Sequence, residues 1–119
     1  MTNVTFHRAD SRIDGFTVDG HSGYAEAGSD IVCAAISGAV QMTECTVNDV
    51  LGLAASVKVR EDEGYVCLKL PGGLGQANER TVQDLLTGLM VYLQALSEVY
   101  PENLIVRLED DGSDDEAED

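Results

Sequence analysis

Apolar and polar residues alternate at the start of the chain and settle into a longer period further on. In NVTFHRA (3–9), Val4 and Phe6 stand between polar neighbours, which predicts a strand. RIDGFTVDG (12–20) repeats the pattern with Phe16 and Val18, and the polar DSRID stretch between the two reads as a hairpin loop. From 29 to about 51 the period changes: Val32, Ile36, Ala39, Thr43, Val47 and Val50 recur at three- and four-residue steps, the mark of an amphipathic helix. Ser29 or Asp30 is the expected N-cap and Gly52 stands where a C-cap belongs. SVKVRE and YVCLKL then flank DEG, predicting a hairpin that closes at Gly64, and PGGLG breaks the chain. A second helix is expected from about Ala77 to Tyr100 on the stripe Val82, Leu85, Leu89, Leu93, Leu96 and Tyr100, with Pro101 just beyond. LIVRL (104–108) is a last short strand.

The order ββαββαβ predicts an α/β (α+β) fold: a two-layer single domain with one mixed or antiparallel sheet covered by two helices. The 119 residues, 44% of them hydrophobic, are enough for one core without disulfides or a structural metal. No apolar run approaches the roughly 18 residues of a membrane span. The N-terminus lacks the basic and apolar regions of a signal peptide. A cytoplasmic protein with reduced thiols at Cys33, Cys45 and Cys67 is therefore expected. None of the three forms a C-x-x-C pair, so no metal site and no cofactor are expected.

Charge divides the chain in two. Of its 22 acidic residues 8 lie in the segment 109–119, EDDGSDDEAED, leaving 14 against 7 bases in the body. So dense a block of one sign cannot collapse, and 109–119 is expected to be a disordered acidic tail behind a domain spanning 1–108. The body has no basic stripe to neutralise phosphates, which argues against direct nucleic-acid binding.

The chemistry gathers in GHSGYAEAGSDIVCAA (20–35), where His21 and Cys33 flank a run of small residues. With Ser29 or Asp30 as cap, Cys33 falls in the first turn of its helix. Free N–H groups there favour thiolate over thiol and are placed to stabilise an oxyanion. A thiolate nucleophile works with a base that also protonates the leaving amine, and His21 ends the second strand. Gly20, Ser22, Gly23 and Gly28 make the intervening chain flexible, with Gly23 and Gly28 as hinges. Asp30 is near enough to orient the imidazole or to cap the helix, and Ser37 lies one turn after Cys33 on the same side. The alternative is a cysteine packed as a small hydrophobe, as Cys45 and Cys67 are read, beside a surface histidine; His7 has no local motif and is read as structural. PGGLGQAN (71–78) lacks the lysine and spacing of a phosphate cradle and reads as a turn entering a helix.

The stretch DGHSGYAEAGSDIVCAAIS (19–37) closely resembles the signature of the ribosomal-processing cysteine proteases, the Prp family. That signature runs G-H-A, a glycine-containing loop, then G-x-D-I-V-C-A-A-x-S. Gly20, His21, Gly28, Asp30, Ile31, Val32, Cys33, Ala34, Ala35 and Ser37 match, and Ser22 replaces the usual alanine. The resemblance implies a cysteine endopeptidase that removes the short N-terminal extension of a large-subunit ribosomal protein near the peptidyl-transferase centre. Cys33 would be its nucleophile and His21 its general base and acid, with the flexible loop closing over substrate. It also implies a homodimer. A competing reading is a non-catalytic acidic module, an assembly factor holding a basic ribosomal protein through the net charge of −15. A redox-sensing thiol at Cys33 is a third, with no resolving cysteine nearby in sequence.

Overall fold

A computed structural model of the chain describes residues 1–20 and 27–110, with only the backbone described at 27–30. Strands β1 (Thr2–Ala9) and β2 (Arg12–Asp19) form the expected first hairpin, followed by helix α1 (Ala27–Glu44), which runs on as a π-helical turn (Cys45–Val50). The second hairpin is β3 (Ser56–Arg60) and β4 (Tyr65–Lys69), joined through a 3₁₀ turn at Glu61–Glu63 and a left-handed Gly64. Helix α2 (Gln76–Val99) and strand β5 (Leu104–Asp110) complete the domain. The five strands make one sheet in the order β3-β4-β2-β1-β5. All neighbours are antiparallel except β1 and β5, so the sheet is mixed.

Alternation along the strands sorts the sheet into two faces. Val4 and Phe6 pair across β1–β2 with Val18 and Phe16, and Phe16 pairs on with Leu68 of β4. These five are buried, and they form one core with Val32, Ile36, Val40 and Val47 from the α1 side and Val82, Leu86, Leu89 and Leu93 of α2. The Phe6 and Phe16 rings meet at 5.7 Å, tilted by 41°, an arrangement that adds to the stabilisation from burial alone. Both helices thus cover one face. The opposite face carries Thr5, His7, Thr17 and Cys67, all partly exposed.

Side chains also tie helix α2 to β2. Gln83 accepts from the Ile13 N–H at 2.9 Å and donates to its carbonyl at 2.7 Å. Arg12 pairs with Glu79 at 2.6 Å and donates to the Pro71 carbonyl at 2.7 Å.

Several elements differ from expectation. Helix α1 begins at Ala27, so Ser29 and Asp30 are its third and fourth residues and neither is its N-cap, while Gly28, expected in the loop, is its second residue. Val50, expected on the buried stripe, is 74% exposed, and Val40 is buried where Ala39 was expected. The π turn explains Val50: with more residues per turn, the residues that follow fall out of phase with the α-helical stripe. On α2, Leu86 is fully buried where Leu85 was expected to be. Strand β5 runs two residues past 108, because Glu109 and Asp110 pair with His7 and Arg8. Arg8 grips Asp110 at 2.6 Å, which holds that carboxyl below the usual carboxylate range. The remaining residues of the expected acidic tail lie outside the described ones. Among the described residues no helix is long and apolar enough to cross a membrane.

Candidate active site

Cys33 is the seventh residue of α1. Only the first four amides of a helix are free and its dipole acts mainly over the first turn, so the expected activation by the helix N-terminus does not reach this cysteine as supposed. What Cys33 does have is a groove. Val32 before it is fully buried against the sheet, which turns the partly exposed thiol toward the edge where α1 faces the β3–β4 hairpin. There Cys33, Ile36, Ser37 and Gln41 of α1 form one wall of a groove of about 360 Å³. Thr2, Val18 and Gly20 lie at its base, with Val59, Glu61, Gly64, Tyr65 and Val66 across from the helix.

Gly20, the last described residue before α1, borders this groove. The Gly20 N–H donates to the Gly64 carbonyl at 3.1 Å, and the Thr2 hydroxyl donates to the Gly20 carbonyl at 3.4 Å. Gly20 has φ of +100°, and a Cβ there would stand 2.7 Å from the Met1 carbonyl oxygen, so a close approach and a left-handed backbone both call for glycine. Of the residues singled out from sequence, Cys33, Ser37 and Gly20 are brought together in one groove. Asp30 and Gly28 lie in the first turn of α1, where the backbone alone is described. His21, Ser22 and Gly23 lie outside the described residues.

The other histidine and the other thiols sit elsewhere. His7 is on the sheet face away from the helices, with Nε2 3.0 Å from the Thr17 hydroxyl and Nδ1 4.0 Å from Glu109. Cys67 shares that face and accepts a hydrogen bond from Thr17 at 3.7 Å. It also pushes the Tyr65 phenol up from its ordinary range, by hydrogen bonding and by charge. Cys45 is exposed in the π turn.

The groove wall opposite Cys33 was not singled out from the sequence. Val59, Glu61, Tyr65 and Val66 come from a hairpin some thirty residues further on, and no local motif marks them. Glu44, at the far end of α1, carries a carboxyl raised above its ordinary value because burial disfavours its charge. A carboxyl raised in this way contributes stability below its unfolded pKa and loses it as pH rises through the folded value. Glu44→Gln is therefore expected to raise the melting temperature by about 1–3 °C at pH 7, small because the group is mostly solvated. The gain should fade as the pH is lowered toward 4, and thermal denaturation at the two pH values checks it.

Comparison with known proteins fits this arrangement. The family model described as cysteine protease Prp matches residues 1–105. The ribosomal processing cysteine protease Prp of Bacillus subtilis is 31% identical over 107 residues, covering 89% of this chain and 96% of that protein. Among solved structures, SMU.848 from Streptococcus mutans superposes with a TM-score of 0.82 at 26% identity, over 92% of this chain and 95% of that one. The S. aureus ribosomal processing protease Prp in complex with a substrate peptide gives a TM-score of 0.79 at 22% identity, over 92% of this chain and all of that one, a likeness of fold.

Proposed function

Because the chain belongs to the Prp family and is a cysteine protease, we propose that Cys33 and His21 together remove the short N-terminal extension of a large-subunit ribosomal protein. The observation that carries this reading is the groove. Cys33 lines it, and so does Gly20, the residue directly before His21. The chain has two histidines, and His7 lies across the sheet between Thr17 and Glu109, which supports His21 as the imidazole for Cys33.

In this mechanism His21 takes the Cys33 proton as the sulfur attacks the scissile carbonyl carbon. The proton passes to the leaving amine as the C–N bond breaks, leaving a thioester. Water, deprotonated by the same imidazole, then hydrolyses the thioester and returns the thiol. Ser37, a turn after Cys33 in the same wall, is placed to touch the substrate backbone. Asp30 orients His21, and the chain at Ser22 and Gly23 yields to admit substrate.

The partner is the extended N-terminus of the ribosomal protein, with no direct nucleic-acid contact, and the working unit is a homodimer. The net charge of −15 suits a basic polypeptide and repels phosphate.

Incubation with the extended ribosomal protein, followed by intact-mass measurement, tests the reading. One N-terminal truncation with the rest of the substrate intact is the expected result. A stable complex with no mass change would instead favour a binding module.

A further inference from the structure

The groove does not end at Cys33. It continues along α1 into a second hollow of about 410 Å³, and the two share Val18, Ile36, Ser37, Gln41, Val59, Glu61 and Val66. The extension adds Val40, Glu44 and Cys45. Its floor is apolar, built from Val18, Ile36, Val40 and Val66, while Glu44 rises from the helix side and Glu61 from the hairpin side. Among the described residues no lysine, arginine or histidine lines either hollow. The nearest base in sequence is turned to other work: the Arg60 guanidinium lies 4.4 Å from the Tyr65 ring centroid and 3.4 Å from Glu63. Neither Glu44 nor Glu61 joins an ion pair with a described residue. Burial already makes the Glu44 charge costly, and a cation arriving beside it would relieve that cost.

We propose that this extension holds the substrate on one side of the cut and selects a lysine or arginine there, the cation lying between Glu44 and Glu61 and its methylene stem on the valine floor. The inference rests on the reading of Cys33 as the nucleophile of a peptidase. An apolar floor with acidic sides suits a long basic side chain, whose stem is hydrophobic and whose end is charged. The spacing sets where that side chain falls. Eleven residues of helix from Cys33 to Glu44 span about 16 Å. An extended peptide covers that distance in about five residues at roughly 3.3 Å each. Glu61 borders both hollows and so stands nearer the cut. The selected base therefore lies between about two and five residues from the scissile bond.

The test is a binding measurement, which does not require turnover. Twelve-residue peptides spanning the N-terminal cleavage region of the extended ribosomal protein are made with each lysine or arginine replaced in turn by norleucine. Their Kd values are measured at low salt against the Cys33→Ala protein, alone and combined with Glu44→Gln and Glu61→Gln. One replacement within the stated window is expected to weaken binding about three- to tenfold. That difference should vanish in the protein lacking both carboxylates, whose fold is checked by circular dichroism. Equal Kd values for all peptides, or an undiminished difference in the double Gln variant, would overturn the proposal. In parallel, the unsubstituted enzyme is offered the parent peptide. Failure to cut it while the charge preference persists would refute the peptidase reading and leave the basic-side-chain site standing.

Discussion

Cys33→Ala is expected to reduce cleavage by at least about 10⁴-fold while leaving the domain folded. Removing the sulfur removes the atom that forms the thioester, and no neighbouring group in the groove can take its place. Ser37 lies a full turn further along the same wall. The fold should tolerate the change because alanine favours helices and Cys33 is only partly buried. Cys45→Ala and Cys67→Ala are the controls. Cys67 lies on the opposite sheet face and Cys45 borders the groove only at the end away from Cys33, so both variants should keep the chemical step, with Cys45→Ala altering at most the binding of substrate. His21→Ala should cost a comparable factor, because both proton transfers pass through that ring. Rates measured on purified variants, with circular dichroism as the check on folding, decide it. Activity retained by Cys33→Ala and lost on changing Cys45 or Cys67 would reassign the nucleophile.

The largest loss of stability is expected from a glycine that no turn explains. Gly15 lies inside β2, buried, opposite His7 on one side and Lys69 on the other. A Cβ at this position would overlap the Leu68 carbonyl oxygen, which is backbone in the β4 ladder and cannot swing away. The β1–β2 register also shifts between His7 and Arg8, so the strand is already kinked here. Gly15→Ala must push β4 away from β2 or tilt the strand, and is expected to cost about 2–4 kcal/mol. In a domain of this size that corresponds to a melting temperature lower by roughly 10–25 °C. Activity should fall with it, because β4 carries the Tyr65 and Val66 side of the groove. Gly38→Ala in α1 is the counterpart: an added Cβ there meets nothing within 4 Å, so the helix should gain slightly. A Gly15→Ala protein melting within two or three degrees of wild type would contradict the packing described.

These positions also show what a linear reading can and cannot see. Strands β1, β2, β3 and β4 were legible because each pairs alternating apolar residues with a turn that glycine or polar residues mark. Helix α2 was legible because the stripe from Val82 to Tyr100 repeats at three- and four-residue steps over about five turns. Leu86 was missed because Leu85 and Leu86 are adjacent, and periodicity alone cannot choose which of two neighbours points inward. The start of α1 was placed too late because Ser29 and Asp30 are good caps, and their side chains alone do not show that the helix already runs through them. That error matters for the site, since it placed Cys33 among free amides it does not have. Sheet order escaped the sequence altogether: β1 and β5 pair in parallel across about a hundred residues, and nothing local encodes that.

The site divides in the same way. Cys33 and its glycine-bounded approach are marked by a compact motif, and Cys33, Ser37 and Gly20 line one groove. Glu44 and Glu61 carry no such mark. They become a pair only because the β3–β4 hairpin folds against the flank of α1, a consequence of Val18, Val59 and Val66 presenting their side chains toward Ile36 and Val40. Acidity that looked like a property of the whole chain therefore has a particular location along the groove that Cys33 lines.

The most direct test of the central claim, that Cys33 is the sulfur that attacks substrate, is covalent trapping. A peptide ending in an electrophile at the position of the scissile carbonyl is incubated with the full-length protein, which is then digested and mapped by mass. The account predicts a single adduct on Cys33, with Cys45 and Cys67 unlabelled and no labelling after Cys33→Ala. An adduct on Cys45 or Cys67, with Cys33 untouched, would contradict it.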